Sequence, residues 1–432
     1  MNRNRSIEKK DQPVFSPGLK SGVWILDSTL REGEQSPGVS FPVHVKLALA
    51  ECLDNIGIDI VEAGHPLVSE DIKRTVRLLV SAPRSCRIGA HARLLKEDLE
   101  AAVACQVDFI GIFYCLTEPR LQDSSMTLSG ALDMICSTVA LARKSAPSAL
   151  IRFTPEDTVR TEPQRVVQAA VEAVRSGADI ISIADTTGCL IPGSDNNMHD
   201  WVKLLHHGLE RAGLQALIEV HCHNDRGLAL ANALDGYRAG ADIIDAAVLG
   251  LGERAGITDL ACLLAVLRQD FGEGRHWNLA ALPALYEMVA KYSGTAIPQN
   301  HPVCGRYAFS HCAGVHSRAV IKDAFHYQSL DPSLFGRKSE IVLDQMAGRA
   351  ALDHALAALG PDELDQEERE LTLQQVKAVG QRGALVDLQE LDWIVRSVKL
   401  QLATGNSQRS SGQKTFLPGG SFKRGIDQIR HQ

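Results

Sequence analysis

The 432-residue sequence lacks the marks of several protein classes. Its ten cysteines include no C-x-x-C pair and show no even spacing, so nothing indicates a disulfide framework, and a reducing compartment is the simpler interpretation. No segment approaches the ~18 uninterrupted apolar residues of a membrane span, and the N-terminus has no apolar signal-peptide core. With 45 Lys and Arg against 52 Asp and Glu, neither charge dominates. We therefore expect a cytoplasmic protein without a nucleic-acid or membrane partner.

The composition is that of an ordinary globular protein. Hydrophobic residues make up 45% of the chain and charged residues 22%, so a large core can be buried. Both ends differ from this pattern: residues 1–20 are polar and charged, and Thr404–Gln432 is rich in Gly, Ser, Arg and Gln. We predict flexible tails at 1–20 and 404–432, because neither end can bury enough apolar surface to hold a fold.

Short apolar, β-branched runs recur eight times between these ends. Each is followed by a longer stretch with the spacing of an amphipathic helix, such as Val43–Ile56. This alternation predicts parallel strands covered by helices. A glycine precedes several strands, as in Asn55–Asp59, Arg175–Asp179 and Arg238–Asp242, where it is expected to end a helix. The predicted strands are Val23–Asp27, Asp59–Gly64, Arg87–Ala92, Asp108–Phe113, Leu150–Thr154, Ile180–Asp185, Leu217–His223 and Ile243–Gly250.

Eight such units in ~250 residues favour an α/β fold of the (β/α)8 TIM-barrel type, with an open doubly wound sheet as the alternative. We place the barrel at residues 21–275 and expect catalytic residues at the C-terminal ends of its strands. The alternation stops near Trp277, and Leu279–Ser293 and Leu371–Leu402 are predicted helices. Residues 276–403 are therefore predicted to form a linker and a small, mainly helical subdomain.

Two charged segments follow predicted strands. Strand one leads into Asp27–Glu34, and strand seven ends in Glu219–Asp225. Because strand side chains alternate, His221 and His223 share one face. A hydrogen-bonded or surface pair is one interpretation. Joined to a carboxylate from strand one, the pair instead predicts a divalent metal site with open positions for a chelating substrate.

Four motifs in this order resemble signatures of the homocitrate synthase and 2-isopropylmalate synthase family, the DRE-TIM metallolyase type. The resemblance covers roughly Trp24 to Leu402. It implies a metal-dependent barrel, with Zn, Mn, Co or Mg, that condenses acetyl-CoA with a 2-oxo acid and releases CoA. It also implies a homodimer in which the helical subdomain reaches the partner's active site. The motifs are Asp27–Gln35, His221–Asp225, Gly250–Gly256 and Phe309–His316.

The resemblance assigns roles to individual residues. Glu32 becomes the carboxylate ligand beside His221 and His223, with Asp27 supporting the ligands. Arg31 is similar to the guanidinium that holds the oxo acid, a task that its planar fork suits; a salt bridge to Asp27 or Glu34 is the alternative. The remaining implied site residues are Arg152, Thr154, Glu156 and Thr186 as substrate contacts or catalytic groups in the barrel, and His316 and Tyr327 as proton-transfer residues reaching across from the partner chain.

The expected chemistry is a Claisen-type condensation followed by thioester hydrolysis, with His316 as the base, assisted by Glu156 or Tyr327. The acceptor stays open. Gly89 stands where homocitrate synthases carry a His, Gly111 where they carry an Asp, and Ile257 where isopropylmalate synthases carry an Asn. Arg152–Asp157 and Gly252–Ile257 favour a homocitrate synthase-like enzyme, whose acceptor is 2-oxoglutarate. The alternatives are the acceptors of isopropylmalate and citramalate synthases, and oxaloacetate or its phosphonate or phosphinate analogue.

Two other classes share parts of this pattern. A metal-dependent lyase of acyl-CoA or hydroxy-oxo acids would share the ligands but lack the subdomain containing His316 and Tyr327. A binding barrel without turnover is disfavoured by the intact charged residues. The Gly250 motif is predicted to allow tight packing rather than to bind a dinucleotide. The histidines predicted to be ordinary surface or packed residues are His91, His206, His207 and His311.

Overall fold

The computed structural model describes residues 22–312, 314–360 and 363–410. Eight parallel strands form a closed barrel in sequence order, which confirms the (β/α)8 prediction and excludes the open sheet. The barrel closes where Trp24 and Asp27 of the first strand pair with Ile243 and Ala246 of the last. The strands are β1 Trp24–Asp27, β2 Ile60–Glu62, β3 Arg87–Arg93, β4 Phe109–Cys115, β5 Leu150–Glu156, β6 Ile180–Asp185, β7 Leu217–Cys222 and β8 Ile243–Ala246.

Helices alternate with these strands and cover the barrel. The predicted glycine stops are present: Gly57, Gly177 and Gly240 have φ angles of 98°, 114° and 106°, a region that glycine adopts at little cost. The helices of the barrel unit are α1 Val43–Ile56, α2 Glu70–Ser81, α3 Lys96–Val103, α4 Glu118–Asp123, α5 Leu128–Ser145, α6 Pro163–Arg175, α7 Met198–Arg211, α8 Ala229–Ala239, α9 Leu260–Asp270 and α10 Leu282–Ser293.

The barrel interior changes from apolar to charged along its axis. One layer is a cluster of buried apolar side chains contributed by all strands except β3. Nearer the C-terminal ends lie buried charged side chains, including Glu62, Arg152, Glu219 and Asp245. The apolar layer packs the interior, so the polar end alone can form a site. The apolar cluster comprises Trp24, Leu26, Ile60, Phe109, Leu150, Ile180, Leu217 and Ile243.

The chain divides into two units. One comprises the chain up to Ala308 together with Leu330–Lys338, and the other comprises Phe309–Ser329 and the chain from Ser339 onward. The second unit has four helices among its described residues, α11 Gly314–Lys322, α12 Arg349–Leu359, α13 Gln366–Gly380 and α14 Leu388–Ser410, and two short paired strands, β9 Ser310–His311 and β10 Glu340–Ile341.

The second unit has an apolar core of its own, which includes Leu352, Val376, Leu391 and Val398. The single predicted helix 371–402 is instead the pair α13 and α14, separated by a turn in which Gly383 has a φ of 79°. Helix α14 continues to Ser410, past the predicted start of the tail at 404. Residues 1–20 and 411–432 lie outside the described residues. Within the described parts of the chain, no helix is both long and apolar enough to cross a bilayer.

Candidate active site

A cavity of about 230 Å³ opens at the C-terminal ends of the barrel strands. This is where the (β/α)8 fold places active sites, because the βα loops meet there. Eight residues predicted from sequence line it together, although they come from β1, β5, β6 and β7 or the loops that follow: Arg31, Glu32, Arg152, Thr154, Glu156, Thr186, His221 and His223.

Glu32, His221 and His223 form a cluster that could hold a metal ion. One ligand atom from each lies within 4.8 Å of the other two. The Nε2 atoms of the two imidazoles are 3.2 Å apart, and His223 Nε2 is 4.0 Å from Glu32 Oε1. These are the atoms that a divalent ion would draw together, and all three side chains line the cavity.

Asp245 on β8 fixes the orientation of His221. The Nδ1 atom of His221 donates to Asp245 Oδ2 at 2.6 Å, and Ser28 Oγ donates to Asp245 Oδ1 at 2.6 Å. With Nδ1 engaged, Nε2 of His221 points at the Nε2 of His223. A carboxylate that receives the second nitrogen of a histidine is the usual support of a metal-binding imidazole. The donor set therefore fits a divalent ion.

Burial and neighbouring charges shift the pKa values of His223 and Glu32. It lowers the pKa of His223 to about 3, with the neighbouring His221 acting in the same direction. Burial raises the pKa of Glu32, but the combined effect of Arg31, His221 and His223 is larger and of opposite sign, so the Glu32 pKa lies below its ordinary value. A neutral imidazole beside a carboxylate is the form in which these side chains bind metal.

The Asp27 carboxylate contacts Thr29, in the loop that leads to Glu32. This carboxylate accepts from the backbone N and the Oγ1 of Thr29, both at 3.0 Å, while Thr29 Oγ1 accepts from Val248 N at 2.8 Å. Burial raises the pKa of Asp27 to about 7. Asp27 thus shapes the loop that carries Glu32, and Asp245 is the carboxylate that contacts a side chain of the cluster, His221.

The Gly250–Gly256 loop packs against Glu32. The backbone N of Glu253 donates to Glu32 Oε1 at 3.1 Å. A Cβ on Gly252 would lie 3.1 Å from the same oxygen, and one on Gly256 would lie 1.8 Å from Gly250 O. These contacts confirm the prediction that the glycines allow tight packing at the end of a strand.

Arg31 contacts three carboxylates, Glu32, Glu62 and Asp245, rather than the predicted alternative partners. Its Nε donates to Glu62 Oε2 at 2.6 Å, it pairs with Glu32, and its Nη2 is 3.7 Å from Asp245 Oδ2. Glu34 instead pairs with Lys46 at 2.5 Å, so the predicted alternative bridge from Arg31 to Glu34 is wrong. Burial lowers the pKa of Arg31, but the carboxylates, Glu62 first, raise it above its ordinary value.

Arg152 is a buried cation in the wall of the cavity. Its side chain is 2% exposed; Nη1 donates to Glu219 Oε1 and Nη2 to Glu62 Oε1, both at 2.8 Å. A Cβ on Gly111 would lie 2.5 Å from Arg152 Nη2, and one on Gly89 would lie 2.8 Å from the Phe109 ring. The two glycines that depart from the family pattern therefore leave room for Arg152 and Phe109.

His91 is a packed histidine outside the metal-binding cluster, as the sequence predicted, but its place in the cavity wall was not predicted. It lines the cavity, its Nδ1 is 3.0 Å from Glu62 Oε1, and its ring stacks on Phe113 with centroids 4.7 Å apart. His65, which sequence reasoning missed, packs edge-on against His91 at 4.9 Å. Burial lowers the pKa of His65 to about 4 and that of His91 to about 3, so both present neutral imidazoles to the cavity.

The β5 residues and Thr186 complete the opposite wall. Thr154 Oγ1 is buried with no hydrogen-bond partner in the described chain, so it is available to a ligand. Burial raises the pKa of Glu156, while Arg120 opposes that shift. Thr186 Oγ1 accepts from Asp157 N at 3.0 Å. The wall therefore combines a hydroxyl that needs a partner with a carboxyl whose proton affinity is increased.

Sequence reasoning missed three carboxylates that hold the site together, namely Glu62, Glu219 and Asp245. For Glu219 a signal existed, because it continues the alternation of His221 and His223 on one face of β7. Burial raises its pKa to about 7, although Arg152 opposes the shift. Glu62 is the last residue of the short strand β2, and no local pattern distinguishes it from a surface acid.

His316 and Tyr327 belong to the second unit. Their ring centroids are 4.1 Å apart with planes tilted by 31°, so the structure brings these two predicted residues together. Tyr327 is 47% exposed and His316 is exposed as well. His311, predicted as an ordinary histidine, is half-buried with its Nε2 3.4 Å from Gln328 Oε1.

Solved structures share the barrel fold. A Bacillus subtilis HMG-CoA lyase aligns with a TM-score of 0.55 and 19% identity over 65% of this chain and 96% of the lyase. An Acinetobacter HMG-CoA lyase solved with coenzyme A and 3-methylmalate aligns with a TM-score of 0.54 and 20% identity over 64% and 92% of the two chains. At this identity the likeness concerns the fold.

Sequence comparisons define the family. Residues 22–289 match the HMGL-like family model, and residues 303–384 match the model described as homocitrate synthase post-HMGL domain-like. A Pyrococcus horikoshii homocitrate synthase is 40% identical over 355 residues, 82% of this chain and 94% of the relative. A Sulfurisphaera tokodaii homocitrate synthase is 38% identical over 80% and 75% of the two chains. Both domains and the long alignments agree, and the chain belongs to the HMGL-like family, in the group that contains the homocitrate synthases.

Proposed function

We propose that this protein is an acyltransferase of the homocitrate synthase kind, which condenses acetyl-CoA with a 2-oxo acid in a metal-dependent reaction. The observation that carries the proposal is the cluster of Glu32, His221 and His223 opening into a cavity that also contains Arg31 and Arg152. Membership of the group that contains the homocitrate synthases supports the choice of reaction. A cytoplasmic location accompanies this proposal.

The charged groups of the cavity suit a 2-oxo acid. When bound by Glu32, His221 and His223, a divalent ion such as zinc or manganese would polarise the carbonyl group. Arg31 and Arg152 supply fixed guanidinium groups for carboxylates, already oriented by Glu62 and Glu219. Thr154 Oγ1 adds a hydroxyl without a partner. Such groups need no reorganisation when negative charge develops on the substrate.

The proposed reaction balances as follows. The acetyl methyl group gives a proton to a base, its carbon bonds to the oxo carbon, and the oxo oxygen gains a proton to become a hydroxyl group. Water then cleaves the thioester and releases CoA with a free thiol. We assign the base to His316, with Tyr327 beside it and Glu156 assisting. The methyl proton is weakly acidic, so the enolate must meet prearranged donors as it forms.

The acceptor decides between members of this class. We propose a dicarboxylic 2-oxo acid, because two guanidinium groups face one cavity. The test is a panel of acceptors with acetyl-CoA, namely 2-oxoglutarate, oxaloacetate, phosphonopyruvate and 2-oxoisovalerate, with CoA release as the measurement. The same assays with a chelator should lose activity and regain it with added metal. No CoA release with any acceptor would contradict the proposal.

The metal assignment has its own test. His223→Ala removes one of the three ligands, so metal-dependent CoA release should fall to background. His207→Ala is the matched control, because His207 is an exposed residue on α7. Undiminished CoA release by His223→Ala would refute the assignment of the ligand set.

A further inference from the structure

A second cluster of metal-binding side chains lies outside the cavity lining, between the start of α9 and the segment after α10. Asp259, Cys262 and His301 each offer one ligand atom, and these three atoms lie within 4.8 Å of one another. Each of the three residues is partly buried. The cluster combines a carboxylate, a thiol and an imidazole, which together form a donor set typical of zinc.

The local sequence places these donors in two pairs with the same spacing. Asp259 and Cys262 stand three residues apart, as do His301 and Cys304. Asp259 caps α9, since its Oδ1 accepts from Cys262 N at 2.8 Å, so the first pair lies on the opening turn of the helix. Cys304 is buried. Short paired spacings of this kind are typical of structural zinc sites.

The hydrogen bonds of the cluster leave a lone pair on Asp259 Oδ2 and one on His301 Nε2, and these two atoms face each other. Tyr286 OH donates to Asp259 Oδ1 at 3.0 Å, so Oδ2 is the oxygen that faces His301. His301 Nδ1 contacts the Pro302 carbonyl at 2.5 Å, which requires a proton on Nδ1 and leaves Nε2 at 3.1 Å from Asp259 Oδ2. With its proton on Nδ1, His301 offers Nε2 as an acceptor, and Asp259 Oδ2 is an acceptor too. Two acceptors 3.1 Å apart need either a second proton on the imidazole or a cation between them.

The segment carrying His301 is held in an unusual conformation. Val303, between His301 and Cys304, has a φ of 68°, a region that a β-branched residue rarely adopts. Arg337 Nη1 donates to the Val303 carbonyl at 3.1 Å and to the Gly305 carbonyl at 3.2 Å. These bonds hold the segment from which the His301 imidazole reaches Asp259 at the start of α9.

We propose that Asp259, Cys262 and His301 bind a zinc-class divalent ion. The ion would bind as the Cys262 thiol releases its proton, and it would tie the chain that leaves the barrel unit to α9. This site differs from the cluster of Glu32, His221 and His223 in having a sulfur ligand. The two sites can therefore be observed separately, and this proposal does not depend on the proposed activity.

The test uses the full chain stripped with a chelator and titrated with Co²⁺ under reducing conditions. Cobalt bound through a thiolate gives a near-ultraviolet charge-transfer band, which a site of one carboxylate and two imidazoles cannot give. We expect the band to reach the intensity of one thiolate-bound cobalt ion per chain and to saturate by two equivalents, because the cluster of Glu32, His221 and His223 also takes up cobalt. Elemental analysis should find one more metal ion per chain in the wild type than in Cys262→Ser.

Variants separate the two sites. His223→Ala should keep the thiolate band, whereas Cys262→Ser and His301→Ala should lose it while retaining metal-dependent CoA release. Cys52→Ser is the control thiol on α1 and should leave the band unchanged. A wild type without the band would overturn the proposal even if every variant misfolded. So would a band that persists in Cys262→Ser, or one lost in Cys52→Ser.

Discussion

At the scale of single residues, the site depends on how buried charges are paired. Arg31 and Arg152 share Glu62, and Glu219 and Asp245 complete the set. Breaking one such pair leaves an uncompensated buried charge, which costs more than the pair contributes. Conservative changes that keep volume are therefore the informative ones.

Asp245→Asn tests the carboxylate behind His221. The amide can still accept a hydrogen bond but carries no charge, so the imidazole should become a poorer ligand. We expect metal affinity to fall about 10- to 100-fold, with much of the activity restored at saturating metal. Metal titration followed by CoA release measures both effects. Asp133→Asn, on the exposed face of α5, is the control, and unchanged affinity in Asp245→Asn would contradict the assigned role.

Gly111→Ala tests whether the missing side chain makes room for Arg152. The new methyl group would lie 2.5 Å from Arg152 Nη2 and would displace the guanidinium group. Losing a charge-assisted contact costs about 1.5–3 kcal/mol, so the KM of the acceptor should rise roughly tenfold or more. The KM of acetyl-CoA should change little. Gly130→Ala on α5 is the matched control; equal effects on both substrates would point to general damage instead.

At the scale of elements, one carboxylate connects the end of β3 to α3. Asp98 accepts from the backbone N of Arg93 at 3.1 Å and from its Nε and Nη2 at 2.8 and 2.9 Å. Burial raises the pKa of Asp98, but the hydrogen bonds from Arg93 lower it by more, so the folded-state pKa lies below its ordinary value of 3.8. The resulting stabilisation is present above the unfolded-state pKa and is lost as pH falls through the folded-state value.

Asp98→Asn should therefore destabilise the protein in a pH-dependent way. At pH 7 we expect a loss of about 1 kcal/mol, because Arg93 is largely exposed and solvent screens the pair. The difference between wild type and variant should shrink as pH falls below about 4, where the carboxyl of the unfolded chain begins to be protonated, and should vanish below the lower folded-state pKa. Unfolding by denaturant at several pH values measures this. A difference independent of pH would show that packing rather than charge is responsible.

At the scale of the whole molecule, the homodimer that the family resemblance implies makes a prediction about mixed subunits. If His316 serves the barrel of the partner, a heterodimer of His223→Ala and His316→Ala chains contains one complete site. Random reassociation of two inactive variants should then restore about a quarter of the wild-type activity, given exchange in a symmetric dimer. If His316 serves its own barrel, the mixture stays inactive. Light scattering on the same samples checks that dimers are present.

The sequence alone predicted the closed barrel and the location of the site. Alternation fixes which strand residues share a face, and parallel strands bring their C-terminal ends to one rim, so eight residues from distant segments could be assigned to one cavity. The resemblance of four short motifs added Glu32 as the expected carboxylate ligand. Local signals also predicted the glycine stops at Gly57, Gly177 and Gly240.

Only the tertiary structure decided which charges are paired. Ser28 meets Asp245 across 217 residues, and Arg152 meets Glu62 across 90. No periodicity specifies such pairs, because they form when strands from different parts of the chain close into a barrel and bury their polar ends together. The role of Gly111 is also decided by the tertiary structure, because the guanidinium group of Arg152 occupies the space that a side chain at this position would fill. Sequence thus determined where the chemistry lies, and barrel closure determined the electrostatic environment in which it operates.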